Sequence, residues 1–369
     1  MKRILVYGMT NNPGGIESYL LFMMDKLLGY NIQMDFISDF PTIAYEKELI
    51  SKGARIYHIP AKGKNLIKHW KEFSKVLKEH PEYETVYFNV LDAGAVFTAL
   101  APRLKGRNII VHSHNGNTDK VMLHRLCKPF LGLIANKYVA CSKLAADYMF
   151  GKKKREKVLI IPNAIDADKY TFDLGLRQEY RKELQIEENF VVCHIGRVTR
   201  QKNPYGVLNI FDKVYHKDKS AVLLYVGTGD MIDEMVDQVN KRNTLYEEEC
   251  KDSGFKAPIR LLGVRNDIPA IMQAADVMLL PSLYEGLPIV AIEAQAAGLP
   301  TFMSENITRE VKITDDAEYI SLELSPGEWA DKILAYKGRE RRDNHQLIQD
   351  AGYDKNTMIK VLEEFVEWL

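Results

Sequence analysis

Val277-Met278-Leu279-Leu280-Pro281-Ser282-Leu283-Tyr284-Glu285-Gly286-Leu287-Pro288-Ile289-Val290-Ala291-Ile292-Glu293-Ala294 is the stretch on which the fold turns. A short apolar run, 277–280, predicts a buried strand. Pro281 to Gly286 then form a loop, and an apolar run opens a helix near Leu287. Pro288 suits that helix's first turn, where its missing N–H is not needed. N–H groups at a helix start lack partners within the helix, and with the macrodipole they favour a diphosphate there. Glu285 falls just before this helix and Glu293 about two turns inside it. At about 1.5 Å per residue their carboxylates would stand roughly 10 Å apart. That span fits one carboxylate on a sugar and the other on a nucleotide ribose, with the diphosphate between. Glu293 interrupts an otherwise apolar run, so burial would require a partner for it.

Outward from this stretch the same alternation recurs. Strands are predicted at 3–8, 33–38, 54–59, 85–90, 108–112, 138–141 and 158–161, with helices at 15–28, 65–79 and 119–136 between them. After Ile161-Pro162-Asn163-Ala164-Ile165-Asp166 the pattern restarts, with strands at 190–195, 221–226, 259–262, 277–280 and 301–303. Strands separated by helix-length segments build parallel sheets covered on both faces. The expectation is an α/β protein of two doubly wound, Rossmann-like domains facing each other across a cleft. Residues 1–164 form the first, residues 165–350 the second, and residues 351–369 a C-terminal helix packing back on the first. Ligands of such sheets bind at the carboxyl ends of the strands.

Composition narrows the classes. The 369 residues are 46% hydrophobic and 27% charged, with 50 basic and 50 acidic side chains. That balance speaks against wholesale nucleic-acid binding. The apolar run after Lys2-Arg3 is too short for a signal core, and no stretch approaches a membrane span. Cys127, Cys141, Cys193 and Cys250 are scattered, as reduced core cysteines of a cytoplasmic protein are.

Several strand ends carry chemistry. Gly196-Arg197 follows the strand at 190–195, and Lys202 comes five residues later. Glycine lets backbone approach a ligand, and two cations there can neutralise a diphosphate. Gly14-Gly15 opens a helix after the first strand without the spacing of a dinucleotide fingerprint. His112 and His114 end a strand; with no carboxylate or cysteine at a useful spacing, they do not form a metal site. Asp166-Ala167-Asp168 matches a cation-binding DxD pattern but falls in the interdomain segment and reads as hinge. Two basic runs, Lys62 to Lys71 and Lys152-Lys153-Lys154-Arg155, would be drawn to an anionic membrane surface.

The Glu285-to-Glu293 segment resembles the Glu-x7-Glu motif of the retaining GT-B glycosyltransferases of family 4, with Glu-Gly-Leu-Pro as its opening. His112-Ser113-His114-Asn115, Ile161 to Asp166 and Ser304-Glu305-Asn306-Ile307-Thr308-Arg309-Glu310 look like the bacterial capsule and exopolysaccharide branch, so the resemblance covers essentially the whole chain. It implies a hexosyltransferase that uses a nucleotide diphosphate sugar, UDP-linked by preference, with retention, no cofactor and no metal. A glycan or polyprenyl-diphosphate-linked acceptor is implied too. The resemblance assigns the catalytic groups to His114, Arg197, Lys202 and Glu285, with His112 the alternative to His114. It places the donor on Gly15, Gly196, Val264, Arg265, Gly286, Leu287, Pro288 and Glu293, the base lying between Val264 and Arg265. Rival readings are a non-catalytic scaffold subunit that binds nucleotide sugar, and an epimerase that needs no acceptor. Base, sugar, linkage and oligomeric state are not legible.

Overall fold

The computed structural model describes residues 1–250 and 256–369. Seven strands come first: β1 (Lys2–Tyr7), β2 (Ile32–Ser38), β3 (Ile56–His58), β4 (Thr85–Val90), β5 (Asn108–Ser113), β6 (Lys137–Ala140) and β7 (Val158–Ile160). Between them run α1 (Gly15–Leu28), α2 (Glu46–Ser51), α3 (Leu66–Glu79), α4 (Val96–Leu104), α5 (Val121–Ile134) and α6 (Lys143–Phe150). The chain continues through α7 (Leu174–Glu183), β8 (Phe190–Ile195), α8 (Pro204–Lys217), β9 (Ala221–Val226) and α9 (Ile232–Glu249). Next come β10 (Ile259–Gly263), α10 (Ile268–Ala274), β11 (Val277–Leu280), α11 (Ile289–Ala296), β12 (Thr301–Ser304) and β13 (Ala317–Ile320). Three helices close it: α12 (Pro326–Leu334), α13 (His345–Asp350) and α14 (Ile359–Trp368).

Contacts divide these elements into two compact units, residues 1–164 with 356–369, and residues 165–355. The first holds a seven-stranded sheet in the order β3-β2-β1-β4-β5-β6-β7, parallel throughout. The second holds a parallel six-stranded sheet in the order β10-β9-β8-β11-β12-β13. Strand order reverses between β1 and β4 in one and between β8 and β11 in the other. These are the switch points at which such sheets bind ligands.

The strands form where continuous apolar runs are buried on both faces: every residue of β2, β4, β8, β9 and β11 is inside. In α1 the buried Tyr19, Leu20, Met23, Met24 and Leu27 recur at helical spacing and face the first sheet. Helix α8 starts on Asn203, whose side chain accepts the Gly206 N–H at 3.1 Å, with Pro204 in the first turn. Helix α12 opens on a reciprocal capping box of Ser325 and Glu328.

The C-terminal segment differs from the expected single helix over 351–369. Only residues 359–368 are helical. Asp354 is wholly buried and bridges Ile165 in the second unit, with the Ile165 N–H on Tyr353 O at 2.8 Å and the Lys355 N–H on Ile165 O at 2.8 Å. Helix α14 then joins the first unit's core. Leu362 and Phe365 are buried, Phe365 packs 5.1 Å from the Tyr87 ring, and Thr85 donates to Leu369 O at 3.1 Å. Strand β13 was absent from the sequence expectation, since Ala317-Glu318-Tyr319-Ile320 is short and carries a charge mid-run.

Candidate functional site

In the second unit, β8 ends at Ile195 and β11 at Leu280, side by side at the switch point. The loops that follow are sewn together. Leu283 N–H donates to Gln201 O at 2.8 Å, Gln201 Nε2 to Tyr284 O at 3.1 Å, and Asn203 Nδ2 to Pro281 O at 3.0 Å. Lys202 Nζ meets Glu285 Oε2 at 2.5 Å, while Ser282 Oγ donates to Glu285 Oε1 at 2.6 Å. Glu285 is buried, so both its carboxylate oxygens are used within the protein. An ammonium has three donors, and Glu285 takes only one of those on Lys202. Arg197, one residue past Gly196, is exposed, and its guanidinium has no ion-pair partner among the described residues.

The neighbouring glycines explain how tightly this turn is built. Gly227 follows β9 at φ +136°, and a Cβ on it would lie 2.0 Å from Gly196 O. A Cβ on Gly229 would meet Val198 O at 2.4 Å. Val198 N–H donates to Thr228 O at 3.0 Å. Gly227 to Gly229 therefore packs against the 196–198 backbone. At Gly196 an added Cβ would come 3.2 Å from His194 Nε2 and 3.5 Å from the Lys202 stem.

That contact brings in a residue the sequence reading passed over. His194 is fully buried on β8 and its Nδ1–H donates to Leu279 O at 2.8 Å. Burial, against the help of that carbonyl, pushes the imidazole down to about 4, so it is neutral at pH 7 and Nε2 carries a lone pair. Nε2 has no hydrogen-bond partner and lies beneath Gly196, beside Lys202. The signal was its place two residues before Gly196-Arg197.

Helix α11 begins at Ile289, with Pro288 in extended backbone just before it (φ −71°, ψ 105°), so Gly286 and Leu287 belong to the loop. This corrects the expected start near Leu287. Glu293 sits one turn inside the helix, and helical rise does not span the pair of glutamates. Its partner is Tyr170, whose hydroxyl donates to Glu293 Oε1 at 2.6 Å. Burial pushes the Glu293 carboxyl up, against that hydrogen bond. Nothing in the sequence pointed to Tyr170.

Beside this turn, β10 ends at Gly263, which accepts the Gly227 N–H at 2.8 Å. Val264 projects into solvent, 62% exposed. Arg265 is clamped in a two-pronged pair on Asp267, which also accepts from the Tyr180 hydroxyl at 3.1 Å. The guanidinium is thus engaged with a carboxylate two residues on. Asp166 and Asp168 are engaged with Lys355, the former at 2.6 Å.

The first unit's switch point is built from rings. Gly8 ends β1 at φ +123°, where a Cβ would lie 2.1 Å from Asn89 O at the end of β4. His112 Nδ1 is bonded to the Tyr87 hydroxyl, which contacts the Tyr19 hydroxyl at 3.0 Å. The His114 ring stacks on His112 with centroids 3.9 Å apart, and His114 Nε2 contacts Asn89 Oδ1 at 2.8 Å. Burial holds His112 well below the usual imidazole value, with His114 adding repulsion, and pushes His114 down to about 3. His112 has no exposed surface, whereas His114 is partly exposed. Three buried polar atoms here lack partners: Asn89 Nδ2, His112 Nε2 and His114 Nδ1. Gly15, first residue of α1, has open space where a side chain would go. Nearby, Glu17 ties the preceding loop through the Thr10 N–H at 3.0 Å and the Thr10 hydroxyl at 2.8 Å. Among the described residues no cluster of His, Cys, Asp and Glu could hold a metal.

Two parallel doubly wound units in series, the second with paired loops and basic side chains at its switch point, make the GT-B fold, and the sequence families matched by the two units are those of glycosyltransferases. The chain belongs to family 4 of these enzymes. Residues 13–169 match the profile of Glycosyltransferase Family 4 and residues 177–351 that of Glycosyl transferases group 1. EpsF of Bacillus subtilis strain 168, named as a glycosyltransferase, is 28% identical across 98% of this chain and 95% of its own length. An Escherichia coli enzyme named UDP-Gal:alpha-D-GlcNAc-diphosphoundecaprenol alpha-1,3-galactosyltransferase is 27% identical over 75% of this chain and 73% of that one. Anabaena HepE, solved with UDP-glucose, shares the fold over the full length of both chains at a TM-score of 0.80 and 19% identity.

Proposed function

We propose that the chain transfers a hexosyl group, with retention, from a UDP-sugar to a lipid-linked or other glycan acceptor in surface polysaccharide synthesis. One observation carries the donor half of this reading: the 196–203 and 281–288 loops are bonded together around Lys202 and Glu285, with Arg197 left exposed beside them. In the proposal the diphosphate lies on Arg197, the two remaining donors of Lys202, the Gly196 backbone and the Gly286–Pro288 approach to α11. Glu285 fixes Lys202 rather than reaching the sugar freely, and neutral His194 supports the Gly196 turn from below. Glu293, held by Tyr170, takes the ribose.

Catalysis would come from stabilising the departing diphosphate by preorganised charge. Its oxygen accepts the acceptor's proton on the same face, so configuration is retained. The two cations and the helix start supply the neutralisation that a divalent ion provides elsewhere. On the first unit, His114 Nδ1 and Asn89 Nδ2 offer an acceptor and a donor to sugar hydroxyls, with Gly15 bordering open space. The UDP preference and the lipid-linked acceptor draw on the E. coli relative's name and on the HepE complex with UDP-glucose.

The test is direct. Purified chain is supplied with UDP-glucose, UDP-galactose or GDP-mannose, with and without a polyprenyl-diphosphate-linked sugar and with EDTA. Acceptor-dependent UDP release insensitive to EDTA, with an α-linked product by NMR, is expected. No binding of any nucleoside diphosphate would remove the reading.

A further inference from the structure

Helix α5 is apolar on two opposite faces. His124, Cys127 and Leu131 point into the first unit. On the other side Met122, Leu126, Phe130 and Leu133 are 79%, 65%, 61% and 76% exposed. At 100° per residue these four fall within about 80° of arc and form one stripe about 16 Å long. Single exposed apolar residues are ordinary, but a contiguous row of four large ones on one helix is not. Helix α4 packs beside it and adds Leu104, 73% exposed, and Phe97.

The surroundings of the stripe are basic. Helix α5 contains no acidic residue. Arg125 lies on it and Lys120 just before it, while Arg103 and Lys105 flank Leu104, and all four are exposed. Lys154 Nζ donates to Gly132 O at 2.9 Å, which fixes the exposed Lys152 and Lys153 next to the helix's last turn. Nearby acids are Asp92, whose carboxylate caps the 93–95 turn, Asp119, Glu156 and Asp147, the last already held by Arg155.

We propose that this face of the first unit is a docking surface for an anionic lipid bilayer, with α5 lying in the headgroup layer and its basic rim on the lipid phosphates. A second copy of the chain is the poorer occupant, because a two-fold interface would bring this patch onto itself and set cation against cation. A spanning role is excluded by length: no described helix is long and apolar enough to cross a membrane. An amphipathic helix with an apolar face and a basic rim is held by both hydrophobic insertion and anionic headgroups. The loop that leads into α5 leaves β5 at His114, so docking sets the acceptor side of the first unit beside the lipid. The proposal rests on the functional reading only for its purpose, which is delivery to a lipid-linked acceptor.

Sedimentation of the full chain with phosphatidylglycerol/phosphatidylethanolamine vesicles, and with phosphatidylcholine vesicles, tests it. Binding to the anionic vesicles that weakens with salt is expected. Leu126→Gln with Phe130→Gln should lower partitioning at least ~10-fold, and Lys152→Gln with Lys153→Gln on the order of tenfold, on anionic vesicles only. All these side chains are exposed, so thermal unfolding should not change. Equal sedimentation of parent and Leu126→Gln/Phe130→Gln overturns the proposal. So does a parent that is dimeric by light scattering and turns monomeric in that variant. UDP titration calorimetry on the same proteins separates the two readings: vesicle binding without UDP binding leaves the surface standing and removes the transferase assignment.

Discussion

At the first unit's switch point a positive-φ glycine, Gly8, closes against Asn89 beneath stacked imidazoles and two tyrosine hydroxyls. Beside the second unit's, on the β9 side of β8, another positive-φ glycine, Gly227, closes against Gly196 next to Arg197 and the Lys202–Glu285 pair. The backbone solution is the same and the chemistry above it is opposite. One place is neutral, because burial keeps its imidazoles unprotonated; the other keeps cations exposed or half-used. A doubly wound sheet thus supplies the hollow, and the few residues past each strand end decide what charge it accepts. A neutral hollow suits sugar hydroxyls and a cationic one suits phosphate.

The sharpest way to break this contrast is to discharge the cationic side. Arg197→Ala should lower transfer by roughly 10²–10³-fold with unfolding unchanged, since the guanidinium pairs with nothing described. Lys202→Ala should lose as much activity and also cost stability, because Glu285 stays buried without its cation. Full turnover by purified Lys202→Ala would end the phosphate assignment.

The shared backbone device is tested next. Gly227→Ala and Gly8→Ala should each destabilise by roughly 3 kcal/mol in chemical denaturation, from positive φ and collision with a carbonyl. Gly15→Ala, with open space above it, should leave the unfolding midpoint alone; a loss of activity there would mark ligand contact.

The buried imidazoles of both units answer to pH. His112, His114 and His194 all titrate lower in the folded protein than the ordinary imidazole value of about 6.5. Their contribution to stability is therefore complete above about pH 6.5 and is lost as pH falls through their lowered folded values, about 3 for His114 and about 4 for His194. Each should cost up to about 1.4 kcal/mol per pH unit below 6.5. His114→Gln keeps a donor for Asn89 without titrating, so its melting temperature should fall less between pH 6.5 and 5. An unchanged slope would show that the rings are not the source. The smallest effect belongs to Glu293→Gln, which still accepts from Tyr170: unfolding should shift by under about 1 kcal/mol while UDP affinity drops several-fold.

Legibility followed burial. Strands 85–90, 190–195, 221–226 and 277–280 were readable to the residue because both their faces are covered and the apolar run starts and stops with the strand. Helix α11 was placed two residues early, since Leu287 and Pro288 continue the apolar run without helical backbone. The Arg197, Lys202 and Glu285 loops could be found because charge and glycine cluster at strand ends. His194 and Tyr170 could not: one looks like strand interior, the other lies 123 positions from the carboxylate it holds. The outer face of α5 was hidden for another reason, since residues apolar on both sides of a helix look like core in a string of letters.

The return of α14 to the first unit has a consequence for biosynthesis. Ribosomes deliver β1 to β7 early, yet the pocket around Tyr87 that Phe365 fills stays uncovered until the last helix is made. Residues 165–355 form an uninterrupted unit and can finish first, so the order of completion inverts the order of translation. The nascent amino-terminal half waits with that pocket uncovered, and that interval is when it depends most on protection from aggregation.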